Sequence, residues 1–290
     1  MSTQARPRRS VLYMPGANVR ALEKAKSLPA DALILDLEDA VAPDAKASAR
    51  DNVVKALSEG GYGKRELFMR INGLETPWGH ADAQAAAKSK ADVVLVPKVE
   101  SAAQVRQVAT ILEQAGAPAS LSIWVMMETP LGVLNAAEIA QAHPRLAGFV
   151  LGTNDLAKDL RCDHTPLRLP MITSLGIALL AARGYGLSIV DGVYNDLENE
   201  AGFNESLLQG KELGFDGKTL IHPKQVARAN EVFAPSAGEI EKARAMIAAY
   251  EEALAQGKGV AVVDGKMVEN LHVVRARQAV ELADAIAALS

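Results

Sequence analysis

Short apolar segments alternate with longer segments rich in Ala and Leu along most of this chain. The short segments are dominated by Val, Ile and Leu, as in strands buried on both faces, and the longer ones have the spacing of amphipathic helices. The predicted strands are SVLYM, ALILDL, ELFMRI, DVVLVP, LSIWVMM, LAGFVLG, LSIVDG and GKTLIHP. This number of complete strand–helix units favours an α/β chain closed into a (β/α)8 TIM barrel over an open doubly wound sheet.

The pattern changes after the last predicted strand. From Ala234 onward, two long amphipathic segments flank the short stretch VAVVDGKMV, which predicts a small hairpin or turn between two helices. We therefore predict two parts: a barrel domain at residues 1–233 and a C-terminal helical extension at residues 234–290.

Composition excludes several classes of protein. The net charge is −4 and no basic stripe is present, so we expect no nucleic-acid partner. Cys162 is the one cysteine, which rules out an internal disulfide framework and is typical of a reducing compartment. The basic N-terminus leads into an apolar stretch too short for a signal peptide, and no run approaches the roughly 18 apolar residues of a membrane span. We expect a soluble cytoplasmic protein with no membrane partner.

Polar side chains follow most of the predicted strands, at the end of the barrel where chemistry gathers in this fold. The stretch LILDLEDAV places Asp36, Glu38 and Asp39 directly after an apolar strand. Uncompensated carboxylates are costly to bury, so such a strand end opens onto water, a cation or a substrate. The other predicted strand ends carry Arg70, Asn72, Lys98, Glu100, Glu128, Asp155, Asp191, Asn195 and His222.

Oxygen ligands dominate this ring of residues. Hard oxygens without a Cys/His cluster suit Mg²⁺, or Mn²⁺ as the alternative. Helix capping is the competing explanation: Asp155 in GTNDL could cap the helix that follows, and Asp39 is the carboxylate that we expect to cap helix two. Glu128 is harder to explain in this way, because the apolar run SIWVMM before it should be buried to its end.

Several motifs, taken together and in order, resemble the HpcH/HpaI aldolase and citrate lyase β-subunit superfamily. They are RSVLYMPGANVRALEKA, LILDLEDAV, MRIN, MMETPLGVLNAAEIA, LGTNDLAKDL and GFDGKTLIHPKQV. The likeness covers nearly the whole chain and is greatest to stand-alone enzymes that act on CoA thioesters. It implies the barrel fold, Glu128 and Asp155 as ligands of Mg²⁺, and Arg70 as the residue that holds the 2-oxoacid part of the substrate.

The resemblance also gives a role to the DGKM segment of the tail. In the CoA-thioester branch, the aspartate of this segment, here Asp264, is the catalytic acid/base. It is carried by a mobile lid that closes the site of a neighbouring subunit, which implies a homo-oligomer, a trimer or a hexamer. From the residues alone, an Asp-Gly turn between two short strands is the alternative.

Further residues are assigned to substrate and CoA. Asp36, Glu38 and Asp39 would line the floor of the site and orient Arg70, with Glu38 as the strongest candidate for substrate contact. Backbone N–H groups of the GTN turn would receive the substrate carboxylate. Arg20 and Lys24, four apart on one helix face, would hold the CoA phosphates, unless they are only solvated surface. The residues of the GTN turn are Gly152, Thr153 and Asn154. Tyr13 would lie near the adenine or pantetheine of CoA.

The main functional expectation is a Mg²⁺-dependent carbon–carbon lyase. It would split malyl-CoA, citramalyl-CoA or a similar 3-hydroxyacyl-CoA into acetyl-CoA and a small 2-oxoacid, with the metal acting as Lewis acid. A Schiff base on Lys98 is an alternative chemistry. Two alternative functions share the site: a (3S)-malyl-CoA thioesterase, and a citrate lyase β subunit that acts on an acyl-carrier-protein thioester within a complex.

Overall fold

The computed structural model describes residues 6–289, and within them eight parallel strands form one closed sheet. The strands are β1 (Ser10–Pro15), β2 (Ala32–Asp36), β3 (Glu66–Arg70), β4 (Val93–Val96), β5 (Ser122–Met127), β6 (Leu146–Leu151), β7 (Ser188–Val190) and β8 (Lys218–Leu220). Strands adjacent in sequence pair from β1 to β7, and β8 pairs with β1. A parallel bridge between Asp191 and Lys218 connects β7 to β8. The predicted (β/α)8 barrel is confirmed.

Helices follow the strands as the alternation predicts. They are α1 (Val19–Ala25), α2 (Lys46–Glu59), α3 (Gly79–Lys88), α4 (Ala102–Gln114), α5 (Pro130–Leu134), α6 (Ala136–Ala140), α7 (Thr153–Leu160), α8 (Ile172–Gly184), α9 (Glu200–Leu213) and α10 (Val226–Phe233). Capping side chains determine where several helices begin. Ser101 and Gln104 form a capping box at α4, and the Asn199 side chain caps α9. Short 3₁₀ helices lie at Pro43–Ala45, Pro166–Met171 and Pro223–Gln225.

The barrel interior is filled by side chains from alternate positions of the strands. They form one buried cluster: Val11, Ala32, Ile34, Phe68, Val93, Leu95, Trp124, Met126, Val150 and Val190. Ile34 pairs with Phe68, and two residues further on Asp36 pairs with Arg70. Because side chains on a strand repeat every second residue, Asp36 and Arg70 continue the inward-facing rows of Ile34 and Phe68. The carboxyl end of the barrel therefore changes from an apolar core to a charged layer.

One apolar stretch of the barrel, Pro166–Gly184, is long and apolar enough to cross a membrane by length and composition alone. It consists of a 3₁₀ helix followed by α8, and α8 packs against β6 and β7. Core helices of globular proteins pass the same test, so this stretch is weak evidence for a membrane span.

Residues 8–232 form one compact unit, and the chain from residue 233 onward belongs to a second. The second unit contains α11 (Ala237–Ala255), the antiparallel strands β9 (Ala261–Val263) and β10 (Lys266–Val268), and α12 (Asn270–Leu289). A capping box of Ser236 and Glu239 starts α11. The core of this unit is small and consists of Tyr250, Ala253, Ala261, Val268 and Val273.

Candidate active site

Arg70 lies at the centre of the charged layer and is fixed by Asp36. Its Nε and Nη2 donate to the two oxygens of Asp36, both at 2.6 Å. The same carboxylate accepts the backbone N–H groups of Glu38 and Ala40, at 2.9 and 3.1 Å. Burial is the largest single effect and lowers the pKa of Arg70, but Asp36, Tyr13 and Glu38 together outweigh burial and hold this pKa well above its ordinary value. The site therefore contains a permanent, oriented cation.

Glu38 and Asp39 extend this network toward the end of β4. A Glu38 oxygen lies 2.9 Å from Nη1 of Arg70, and Asp39 lies 3.5 Å from the same nitrogen. The Lys98 ammonium pairs with Glu38 and lies 3.7 Å from Asp39. Burial is the largest single effect and lowers the pKa of Lys98, but the hydrogen bond to Glu38 and the charges of Glu38, Asp39 and Glu128 together outweigh burial and raise this pKa. A protonated amine is a poor nucleophile, so the Schiff-base alternative for Lys98 loses support.

The capping role expected of Asp39 is wrong. The N-cap of α2 is Ala45, and the N-cap of the 3₁₀ helix before it is Ala42. Asp39 instead faces Arg70 and Lys98, because the chain needs several residues after β2 to reach the helix layer. The carboxylates of LILDLEDAV therefore compensate two cations, which explains why a buried strand ends in acids.

Tyr13 lies inside the barrel, against Arg70. The Arg70 guanidinium is 4.9 Å from the centre of the Tyr13 ring, and the Tyr13 hydroxyl is 3.9 Å from the sulfur of Met126. Burial raises the pKa of Tyr13, so its hydroxyl stays protonated. The sequence grouped Tyr13 with Arg20 and Lys24, but the two cations lie on the exposed side of α1. Tyr13 thus joins the Arg70 cluster.

Glu128 follows β5 and is 1% exposed. The backbone N–H of Lys98 donates to its Oε1 at 2.7 Å. The neighbouring strand end is Gly152, where a Cβ atom would lie 2.3 Å from Oε2 of Glu128. Any side chain at position 152 would therefore displace the carboxylate. Burial raises the pKa of Glu128 to about 7, which shows that the surrounding cations compensate its charge only in part.

Asp155 lies in the first turn of α7, the helix that begins after Gly152. Gly152 is the N-cap, so Asp155 does not cap this helix, and no side chain in residues 6–289 provides a capping hydrogen bond here. The first-turn N–H groups of Thr153 and Asn154 therefore remain suited to bind an anion. The Asp155 carboxylate is partly exposed and accepts a hydrogen bond from Lys158 at 3.0 Å.

The residues at the ends of β5 and β6 fit a divalent metal ion. Glu128 and Asp155 offer hard carboxylate oxygens, and Glu128 is a buried carboxylate with incomplete compensation. Within residues 6–289, no group of three or more His, Cys, Asp or Glu is placed to hold a metal. Two carboxylates suit Mg²⁺, which keeps several positions for water or substrate. Glu128 and Asp155 could therefore hold Mg²⁺.

The remaining predicted residues lie elsewhere. Asp191 is fully buried and pairs with Lys218 at 2.8 Å and Arg168 at 2.6 Å, so it stabilises the closure between β7 and β8. Asp264 lies in the second unit, at the turn between β9 and β10, and is exposed. Asp264 and Gly265 have φ values of 48° and 72°, as a type I′ hairpin turn requires.

One feature of the site has no signal in the sequence. Lys98 adopts a left-handed backbone, with a φ of 50°. Its contacts through both the N–H and the ammonium depend on this conformation. Left-handed backbone favours Gly, Asn or Asp, so a lysine after proline gave no reason to expect it.

Comparison with known proteins shows that this chain is similar to a family of enzymes. A model of the HpcH/HpaI aldolase/citrate lyase family matches residues 9–223. A (3S)-malyl-CoA thioesterase of Cereibacter sphaeroides is 57% identical over 288 residues, which cover 99% of each chain. The citrate lyase subunit beta of Escherichia coli is 39% identical over 279 residues, covering 94% of this chain and 92% of its own.

Comparison with solved structures also finds a similar protein that binds a CoA compound. The protein CitE of Mycobacterium tuberculosis, in complex with magnesium, acetoacetate and coenzyme A, matches with a TM-score of 0.75 and 27% identity. The match covers 97% of this chain and 99% of CitE. Proteins similar to this one are therefore enzymes, and a structural neighbour binds both magnesium and CoA.

Proposed function

This chain belongs to the HpcH/HpaI aldolase/citrate lyase family, and on that basis we propose that it is a thioesterase that hydrolyses (3S)-malyl-CoA to malate and free CoA. The observation that carries the proposal is the 57% identity, over 99% of both chains, to the (3S)-malyl-CoA thioesterase of Cereibacter sphaeroides. Four sequences with that name are 56 or 57% identical to this chain. Sequences named citrate lyase subunit beta are 36–39% identical.

The main functional expectation from the sequence, a carbon–carbon lyase, is wrong. The four thioesterases overturn it, and they support the alternative that keeps the same site and ends in hydrolysis. The proposed acid product is therefore malate, a hydroxy acid, and not a 2-oxoacid.

Arg70 is the proposed anchor for the malyl carboxylate. Its bidentate pair with Asp36 fixes the plane of the guanidinium, so the donors left over keep one direction. The ring of Tyr13 covers one face of the guanidinium and further restricts its motion. A substrate that docks on such a fixed cation loses little free energy to reorganisation of the site.

The second proposed anchor is the metal site. Glu128 and Asp155 would hold Mg²⁺, which when bound supplies a Lewis acid for the substrate oxygens. The N–H groups of Thr153 and Asn154 add donors at the start of α7 and would bind a substrate oxygen. Arg20 and Lys24, on the exposed side of α1, are the proposed contacts of the CoA phosphates.

Hydrolysis adds the hydroxyl of water to the acyl carbon and a proton to the CoA sulfur. We assign the proton transfer to Asp264, which would accept a proton from the attacking water and pass it to the leaving sulfur. Its exposed position on a hairpin turn suits a group that approaches the substrate only during turnover. Whether Asp264 serves its own chain or another copy in a homo-oligomer is tested below.

The test is product analysis with (3S)-malyl-CoA. Purified protein is incubated with Mg²⁺ or with a chelator, and free thiol, acetyl-CoA and 2-oxoacid are measured separately. The proposal predicts Mg²⁺-dependent release of thiol with an equal amount of malate. Formation of acetyl-CoA and glyoxylate without free thiol would overturn it.

A further inference from the structure

Lys98 stands out among the residues of the site because of its backbone. It follows β4 across Pro97 and has a φ of 50°. In this conformation the Cβ atom of an L-residue approaches a backbone carbonyl, so Gly fits with less strain than Lys. The strained conformation coincides with two contacts to acidic residues of the candidate site.

The two contacts start from different atoms of Lys98. Its backbone N–H donates to Oε1 of Glu128 at 2.7 Å, and its ammonium pairs with Glu38. The angle φ is the rotation about the N–Cα bond, so it fixes the direction of the N–H relative to the side chain. At 50° the N–H reaches one carboxylate while the side chain reaches the other.

Glu128 belongs to the proposed metal site, and Glu38 belongs to the charged cluster around Arg70. Glu128 is packed against Gly152 on the side of Oε2, and Lys98 holds Oε1, so the carboxylate is fixed from both sides. Glu38 also lies 2.9 Å from Arg70, so its carboxylate is held between Arg70 and the Lys98 ammonium. Lys98 thus contacts both Glu128 and the Glu38 carboxylate of the Arg70 cluster.

We infer that Lys98 is a positioning residue. Its left-handed backbone orients Glu128 for a metal ion, and its ammonium sets the position of Glu38 beside Arg70. The second part rests on the proposed function, whereas the first concerns the binding of a metal alone. Lys98 touches neither the metal nor a reacting atom in this role.

The backbone part is tested with Lys98→Gly, Lys98→Ala and Lys98→Val, which all remove the ammonium but differ in their tolerance of positive φ. Mn²⁺ binding to the metal-free full-length protein is measured by the loss of the free-ion paramagnetic resonance signal. We expect Lys98→Gly to keep the Mn²⁺ affinity within about threefold, and Lys98→Val to lose about tenfold or more, with Lys98→Ala between them. Equal affinity across the series would overturn the inference. If the Val variant does not fold, the Mn²⁺ affinities of Lys98→Gly and Lys98→Ala are compared instead, and equal values would overturn it.

The matched control is Arg161, which has a φ of 55° at the end of α7 and an exposed side chain. Arg161→Val also places a β-branched residue at a positive φ, at the other end of α7 from Asp155, and should lower thermal stability without weakening Mn²⁺ binding. If Arg161→Val lowers the Mn²⁺ affinity as much as Lys98→Val, the effect is general destabilisation and the inference fails.

The side-chain part is tested with Lys98→Met and Lys98→Arg. We expect Lys98→Met to raise KM for (3S)-malyl-CoA about tenfold through the displaced Glu38 and Arg70, and Lys98→Arg to restore KM to within about threefold of wild type. An unchanged KM in Lys98→Met would overturn this part. Failure of the proposed function would be seen separately, as wild-type protein that binds Mn²⁺ but does not hydrolyse the thioester.

Discussion

Asp36 holds Arg70 at the centre of the charged layer, and replacing Asp36 by Asn should destabilise the barrel. It is completely buried and accepts four hydrogen bonds, two from Arg70 and two from backbone N–H groups. An amide would replace one acceptor oxygen by a donor NH₂ that opposes other donors. Removing one partner of a buried ion pair costs about 3–5 kcal/mol. Arg70 keeps Glu38 at 2.9 Å, so we expect the lower end, about 3 kcal/mol.

The assay is urea unfolding followed by tryptophan fluorescence, because Trp78 and Trp124 both lie in the barrel unit. A loss of about 3 kcal/mol should also lower Tm by about 6–12 °C. The control is Glu198→Gln, which breaks an exposed ion pair with Lys224 and should cost less than about 1 kcal/mol.

A double-mutant cycle isolates the pair itself. Asp36→Asn, Arg70→Met and the double variant should show a coupling energy of about 2 kcal/mol, since the double variant leaves no unpaired charge between the two positions. If Asp36→Asn unfolds at the same urea concentration as Glu198→Gln, or the two substitutions are additive, the ion pair does not stabilise the barrel as argued here.

The remaining predictions concern binding and turnover. Glu128→Gln and Asp155→Asn should each weaken Mn²⁺ binding at least about tenfold with little change in Tm; undiminished affinity in calorimetry would remove the metal assignment. Arg70→Lys should lower kcat/KM about a hundredfold, because an ammonium cannot reproduce the bidentate fork; a loss below about threefold would make Arg70 structural. Asp264→Asn should lower kcat with KM nearly constant, and mixing it with Glu128→Gln should restore partial activity after subunit exchange if sites are shared. No recovery after verified exchange would mean that Asp264 serves its own chain.

The fold was predictable because its signal is local. Each strand and helix has its own periodicity, and a repeat of such units has few ways to close. The side-chain alternation also predicts that Glu38 shares a face with Asp36, whereas the place of both beside Arg70 is predicted from the family resemblance.

Other features depended on tertiary context. The sequence predicts Asp39 as a helix cap, yet the loop after β2 directs it to Arg70 and Lys98 instead. The sequence predicts Tyr13 near CoA together with the α1 cations, whereas its ring lies against Arg70, because the direction of a strand side chain depends on the register of the strand in the barrel. The left-handed backbone of Lys98 has no composition signal at all.

The lyase expectation failed for a chemical reason. A fixed cation, a metal site and an acid/base suit both the cleavage of a carbon–carbon bond and the hydrolysis of a thioester, so the motifs alone did not separate the two reactions. Similarity over the full chain was needed to favour hydrolysis.

Turnover of (3S)-malyl-CoA in water enriched in heavy oxygen, with mass analysis of all acids formed, distinguishes thioester hydrolysis from carbon–carbon cleavage. Direct hydrolysis of the thioester predicts label in one carboxylate of malate and no labelled acetate. Acetyl-CoA or labelled acetate, formed together with glyoxylate, would mean that the carbon–carbon bond breaks first, and would contradict the proposed thioesterase activity.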